Sequence, residues 1–157
     1  MAKLTEDHIE KAIEAISEIA SAKPDELIGS LKEKQPGILQ FIMGVDDDEF
    51  SETELDTLLF VVISGIKALN LAAIKMSMPD IELLEQLEEK VFERWETSKG
   101  STEDKLDVMY DKSKQPELLN LAEDIILDDE DGFAPQVQIV LFLKAVTVFD
   151  AILLPGN

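Results

Sequence analysis

The chain contains no cysteine, one histidine and only seven glycines, and aromatic residues make up 6% of its 157 positions. The lack of cysteine excludes disulfides, thiolate metal sites and cysteine nucleophiles. A single histidine excludes any two-histidine metal site and leaves histidine catalysis one candidate, His8, set among Glu6, Asp7 and Glu10. Those neighbours point to a surface position. The Glu-x-x-His pattern of di-iron bundles is missing, because Thr5 stands three residues before His8. No Gly-x-Ser-x-Gly elbow and no glycine-rich phosphate loop occurs. Basic residues are also scarce: 14 Lys and Arg face 34 Asp and Glu, for a net charge of −20. That excess repels a phosphate backbone or an anionic bilayer, so neither nucleic acid nor a membrane is expected as partner.

What is present is a core. Apolar residues reach 45% and the mean hydropathy is +0.01, which separates the chain from disordered acidic sequences. A chain of this length buries roughly 70% of its unfolded surface, enough for one compact domain over 1–157 without staples. The first residues turn acidic with no apolar run, so the expected location is the cytoplasm. Two stretches are strongly apolar, 58–78 and 137–154, the first carrying Lys67, Asn70 and Lys75, the second Lys144 and Asp150. A charge at the bilayer centre costs at least about 2.5 kcal/mol, so both stretches are read as central helices of the core.

Helical periodicity dominates. Ile9, Ala12, Ile13, Ile16, Ile19 and Ala20 recur at threes and fours behind Thr5, a candidate N-cap. Pro24, Pro36, Pro79, Pro116 and Pro135 each stand where a helix would open. Ser51-Glu52-Thr53-Glu54 forms a capping box ahead of a long apolar helix expected to reach about Met76. Leu84, Leu87, Val91 and Trp95 form one face of a further helix stopped near Gly100, and Ser101 begins another. Asp131-Gly132 is a turn, and no run alternates as a strand does. The expectation is an all-α fold of about eight helices.

An internal repeat organises these helices. Lys32-Glu33-Lys34-Gln35-Pro36 recurs as Lys112-Ser113-Lys114-Gln115-Pro116, an offset that continues without a gap. It places Leu39 on Leu119, Asp48-Glu49 on Asp128-Asp129, and Ile66, Leu69 and Asn70 on Val146, Phe149 and Asp150. Two tandem four-helix units, 5–78 and 79–154, are therefore expected to pack as one domain. The Lys-x-Lys-Gln-Pro motif itself has a structural role: lysines in a last turn complement the negative helix end, and proline fixes the next first turn.

The candidate chemistry is thin. Asp46, Asp48 and Glu49, and Asp128, Asp129 and Asp131, form matching acidic runs before the long helices, and oxygen ligands at that density suit Ca²⁺ or Mg²⁺. The second run fails as an EF-hand loop, since Leu127 and Gln138 stand where its end carboxylates belong. Glu82-x-x-Glu85, Glu85-x-x-Glu88 and Glu93-x-x-Glu96 match half of the signature of all-helical Mg²⁺-dependent nucleotide pyrophosphatases, but no Glu-x-x-Asp occurs. These pairs are expected on the wet face of an acidic helix. Ser64, Lys67 and Asn70, and Lys144, Thr147 and Asp150, form matching polar strips, read as solvent-facing edges of buried helices. The other reading of the strips is a polar contact between the two long helices, such as Lys67 or Lys144 with Asp150.

The expected function is a non-catalytic helical module that binds a neutral or basic protein face or a second copy of itself, with no cofactor. Trp95 and Tyr110 are the candidate anchors, although Trp95 ends an apolar stripe and so suits the core. The alternative is a divalent-cation-binding protein or a metal-dependent enzyme built on the acidic loops.

Overall fold

In the computed structural model, which describes residues 3–44, 50–128 and 132–154, helix starts follow side-chain chemistry closely. Thr5, Ser51 and Ser101 each accept from the backbone three residues on, while His8, Glu54 and Asp104 reach back to the cap's own N–H. A cap of this type contributes about 1 kcal/mol. His8 is thus half-buried, its Nδ1 accepting from the Thr5 N–H at 3.1 Å. Pro24, Pro36, Pro116 and Pro135 occupy first-turn positions, where a missing N–H leaves no partner unsatisfied. Pro79 departs from that pattern. The cap there is Asp80, whose Oδ1 accepts from the Leu83 N–H at 2.8 Å.

The result is eight α-helices with no strand among the described residues, 79% helix. They are α1 (Glu6–Ala22), α2 (Pro24–Lys34), α3 (Pro36–Met43), α4 (Glu52–Leu71), α5 (Ile81–Thr97), α6 (Thr102–Lys112), α7 (Pro116–Ala122) and α8 (Pro135–Ile152). A π-helical turn, Glu123–Leu127, continues α7.

α4 ends earlier than its apolar run suggests, at Leu71 and not near Met76. Ala73 takes a φ of 57°, its N–H donates to the Asn70 carbonyl, and the Ile74 N–H donates to the Leu69 carbonyl. This is a Schellman closure with alanine in the place glycine usually fills. The chain then reaches Ser77, whose N–H and Oγ donate to the carbonyls of Ile152 and Ala151, both at 2.8 Å. Ser77 so gives the Ile152 carbonyl a donor at the end of α8, and adds one to the Ala151 carbonyl, which also accepts from the Leu154 N–H at 3.3 Å.

The core is centred on α8. Every residue from Leu141 to Phe149 is buried, and α4, α5, α7 and the π-turn pack around it. The two long helices meet at Gly65, where a Cβ would enter the Phe149 ring and press on Leu118. Glycine there leaves room for the Phe149 ring to lie against the α4 backbone. α1 lies on α4, and α3 lies on α5. Among the described residues α8 alone is long and apolar enough to cross a bilayer, and 61% of it is buried inside the protein.

The two polar strips correct the sequence reading. Lys144 and Thr147 are not a solvent-facing edge: they are 6% and 0% exposed. Lys144 and Asp150 do not join α4 either. Lys144 Nζ meets Glu88 Oε2 at 2.6 Å and Asp150 lies 3.9 Å from Arg94, so both charges turn to α5. The cause is enclosure: a lysine and an aspartate on a surrounded helix must find partners on the neighbour that covers them. On α4, Ser64 is buried, Lys67 is half-buried and Asn70 is exposed.

Candidate functional site

Helix α5 sends its glutamates into a cleft of about 580 Å³ bounded by α3 and α8. Glu82, Glu85 and Glu89 stand exposed along it, spaced by one helical turn so that they share a face. Gln40 and Phe41 of α3 form the opposite wall. At the floor the half-buried Glu88 carboxylate grips Lys144, whose Nζ also sits 4.7 Å from the Phe41 ring centre. Lysine, carboxylate and ring together fix the relation of α3, α5 and α8, the three elements that shape the cleft. Among the described residues no cation lies within 4 Å of Glu82, Glu85 or Glu89, so the cleft presents uncompensated negative charge.

A second groove, of about 280 Å³, lies between α1, α2 and α4. Its walls are apolar, and Lys34, Lys67, Ser30, Asn70 and Glu26 supply its polar groups. Glu26 is engaged by Lys23 at 3.7 Å. Gln35 closes the inner end; its Nε2 donates to the Ser77 carbonyl at 2.8 Å, while Oε1 has no partner among the described residues.

The anchors expected from sequence turn inward. Trp95 is 7% exposed and packs on Phe142 with ring centres 6.4 Å apart. Lys105 lies 5.6 Å from the Trp95 ring centre and donates to its carbonyl at 2.9 Å, tying α6 to α5. Tyr110 is half-buried, its single hydroxyl proton shared between Asn120 Oδ1 at 2.7 Å and Glu123 Oε1 at 3.1 Å. Burial, then the Glu123 charge, push the phenol well above its usual range. Both aromatics therefore join helices within the chain.

Of the acidic runs, Asp46, Asp48, Glu49, Asp129 and Asp131 lie outside the described residues. Asp128 is exposed, its N–H donating to the Glu123 carbonyl at the end of the π-turn. Among the described residues no three histidine, aspartate or glutamate side chains gather as metal ligands would.

The sequence puts the α5 glutamates on a wet helix face and carries no sign that α3 makes that face concave. Neither Gln35 nor Ser77 stands out in it, although glutamine before proline at both ends of the offset of 80 is a signal for the first. No protein-family model matches the chain, and no curated protein or solved structure matches it.

Proposed function

We propose that the chain is a non-catalytic helical module that docks a basic segment of a partner protein in the cleft between α3 and α5. The observation that carries this is the row Glu82, Glu85 and Glu89, exposed, on one face, and without cations nearby among the described residues. Like-charge repulsion along such a row is relieved by an incoming lysine or arginine, which also steers encounter and makes it salt-sensitive. Capture from native lysate tests it by comparison. The wild-type chain should retain proteins that high salt elutes, and a Glu82→Lys, Glu85→Lys, Glu89→Lys variant should lose them. Equal capture by both would end the proposal. So would a melt shifted several degrees by Ca²⁺, Mg²⁺ or Mn²⁺, since a ligand at 100 times its Kd stabilises by about 2.7 kcal/mol.

We also read the helices as a duplicated pair of four-helix units, 5–78 and 79–154. Gln35 and Gln115 both precede a first-turn proline, with φ and ψ of −139° and 64° against −134° and 82°. Gln35 binds the Ser77 carbonyl just ahead of α5, and Gln115 Oε1 accepts from the Leu4 N–H just ahead of α1, at 3.1 Å. Gln35 thus holds the segment that leads into the second unit, and Gln115 the segment that leads into the first. α1 on α4 parallels α5 on α8, and α4 with α8 forms the junction. On superposition of the two halves residues 30–76 should fall on 110–156, with Pro36 on Pro116 and Asn70 on Asp150; unrelated positions for those pairs would refute the duplication.

A further inference from the structure

We propose that the groove between α1, α2 and α4 is a binding site for a small amphipathic carboxylate, a compact apolar body carrying one anionic head. Lys67, Arg94, Lys105 and Lys144 are the lysines and arginine among the described residues that are not exposed. Arg94 has Asp150, Lys144 has Glu88, and Lys105 has the Trp95 carbonyl and ring. Lys67 has no such partner among the described residues, in a chain where acids outnumber bases 34 to 14. A lysine that lines an apolar groove with no carboxylate within 4 Å among the described residues favours an anion there, and Lys34 lines the same groove.

The rest of the groove asks for hydrocarbon. Ile16, Leu31, Ile63 and Ile66 line it, and its volume of about 280 Å³ suits a ligand of modest size rather than a folded partner. Ser30 and Asn70 supply hydrogen-bonding groups. The positions 80 further along the chain show what a closed face looks like: Leu143, Val146 and Thr147 are buried, and Asp150 is half-buried beside Arg94 of α5. On α4 the matching Ile63, Ile66 and Lys67 are left half-buried and Asn70 exposed, so apolar surface and an uncompensated cation share one opening.

The site is independent of the acidic cleft, which lies on other helices and takes the opposite charge. Backbone amide shifts of the isotope-labelled full chain, titrated with sodium octanoate below its micelle concentration, test it. Saturable shifts should map to the facing turns of α1, α2 and α4. Octan-1-ol should bind about fivefold more weakly and octyltrimethylammonium more weakly still, because each lacks the anion. Lys67→Met, which keeps the apolar stem, should weaken octanoate about fivefold and leave octan-1-ol unchanged. Lys34→Met should act in the same direction. Equal or tighter binding of the ammonium, octanoate affinity unaffected by Lys67→Met, shifts scattered over the surface, or binding to anionic phosphatidylglycerol vesicles in preference to free octanoate would each overturn the proposal.

Discussion

Ala73 holds a left-handed backbone, φ 57°, that an L side chain adopts at a cost of about 1–2 kcal/mol. Glycine there should keep the Schellman bonds and remove the strain, so Ala73→Gly is expected to raise stability by about 0.5–1 kcal/mol in chemical denaturation. A destabilised variant would mean that the extra freedom of the unfolded chain outweighs the relief. Asp150 carries a different strain. Burial pushes its carboxyl above the ordinary value of 3.8, against the opposing pull of Arg94 and Lys114. The folded state therefore holds this proton more tightly than the unfolded state. Its contribution to stability falls as pH rises from the unfolded value through the raised folded one. Asp150→Asn removes that loss, so its melting temperature should exceed that of the wild type at neutral pH and converge with it in acid. A lower neutral melting temperature would show that the 3.9 Å pairing with Arg94 dominates.

Caps and prolines made most helix starts legible, because Thr5, Ser51, Ser101 and the first-turn prolines act through local bonds alone. Helix ends were less so: nothing near Leu71 announces a stop, since an alanine supplies the closure and Ser77 anchors the exit through contacts 74 and 75 residues away. The partner of Lys144 was hidden for the same reason. Periodicity says that a lysine lies on a buried helix and cannot say which neighbour covers it. The acidic cleft was half legible, its glutamates apparent on α5 and its opposite wall on α3 invisible until the helices pack. The α5–α8 contact predicts an asymmetry. Glu88→Ala would leave the Lys144 ammonium enclosed without its carboxylate and should cost about 1–3 kcal/mol, reduced from a fully buried pair by the 28% exposure of Glu88. Lys144→Met keeps the packing and removes the charge, and should change stability by less than about 1 kcal/mol. Thermal and urea melts of the two variants read this directly, and equal losses would show that the pair, not the enclosed charge, is what matters.

Across the whole molecule, a charge of −20 on 157 residues acts against the compact state. The ion pairs among the described residues are Lys11 with Asp7, Lys23 with Glu26, Arg94 with Asp150 and Lys144 with Glu88, and they leave most carboxylates unmatched. Salt shortens the reach of that repulsion, the Debye length falling to about 8 Å near physiological strength. The melting temperature should rise with NaCl between roughly 10 and 500 mM, a range over which the screening length falls severalfold. A flat response would mean that the carboxylates are too dispersed to act on one another.

In the proposed function this acidity is focused into a docking cleft and not merely spread over the surface. Titration of the isotope-labelled chain with a short lysine-rich peptide, followed by amide shifts at low and physiological salt, distinguishes a focused site from a diffuse one. Saturable shifts should centre on Glu82, Glu85 and Glu89 of α5 and on Gln40 and Phe41 of α3, weaken with salt and vanish when the three glutamates are reversed to lysine. Shifts spread evenly along every acidic helix, or centred away from α3 and α5, would contradict it.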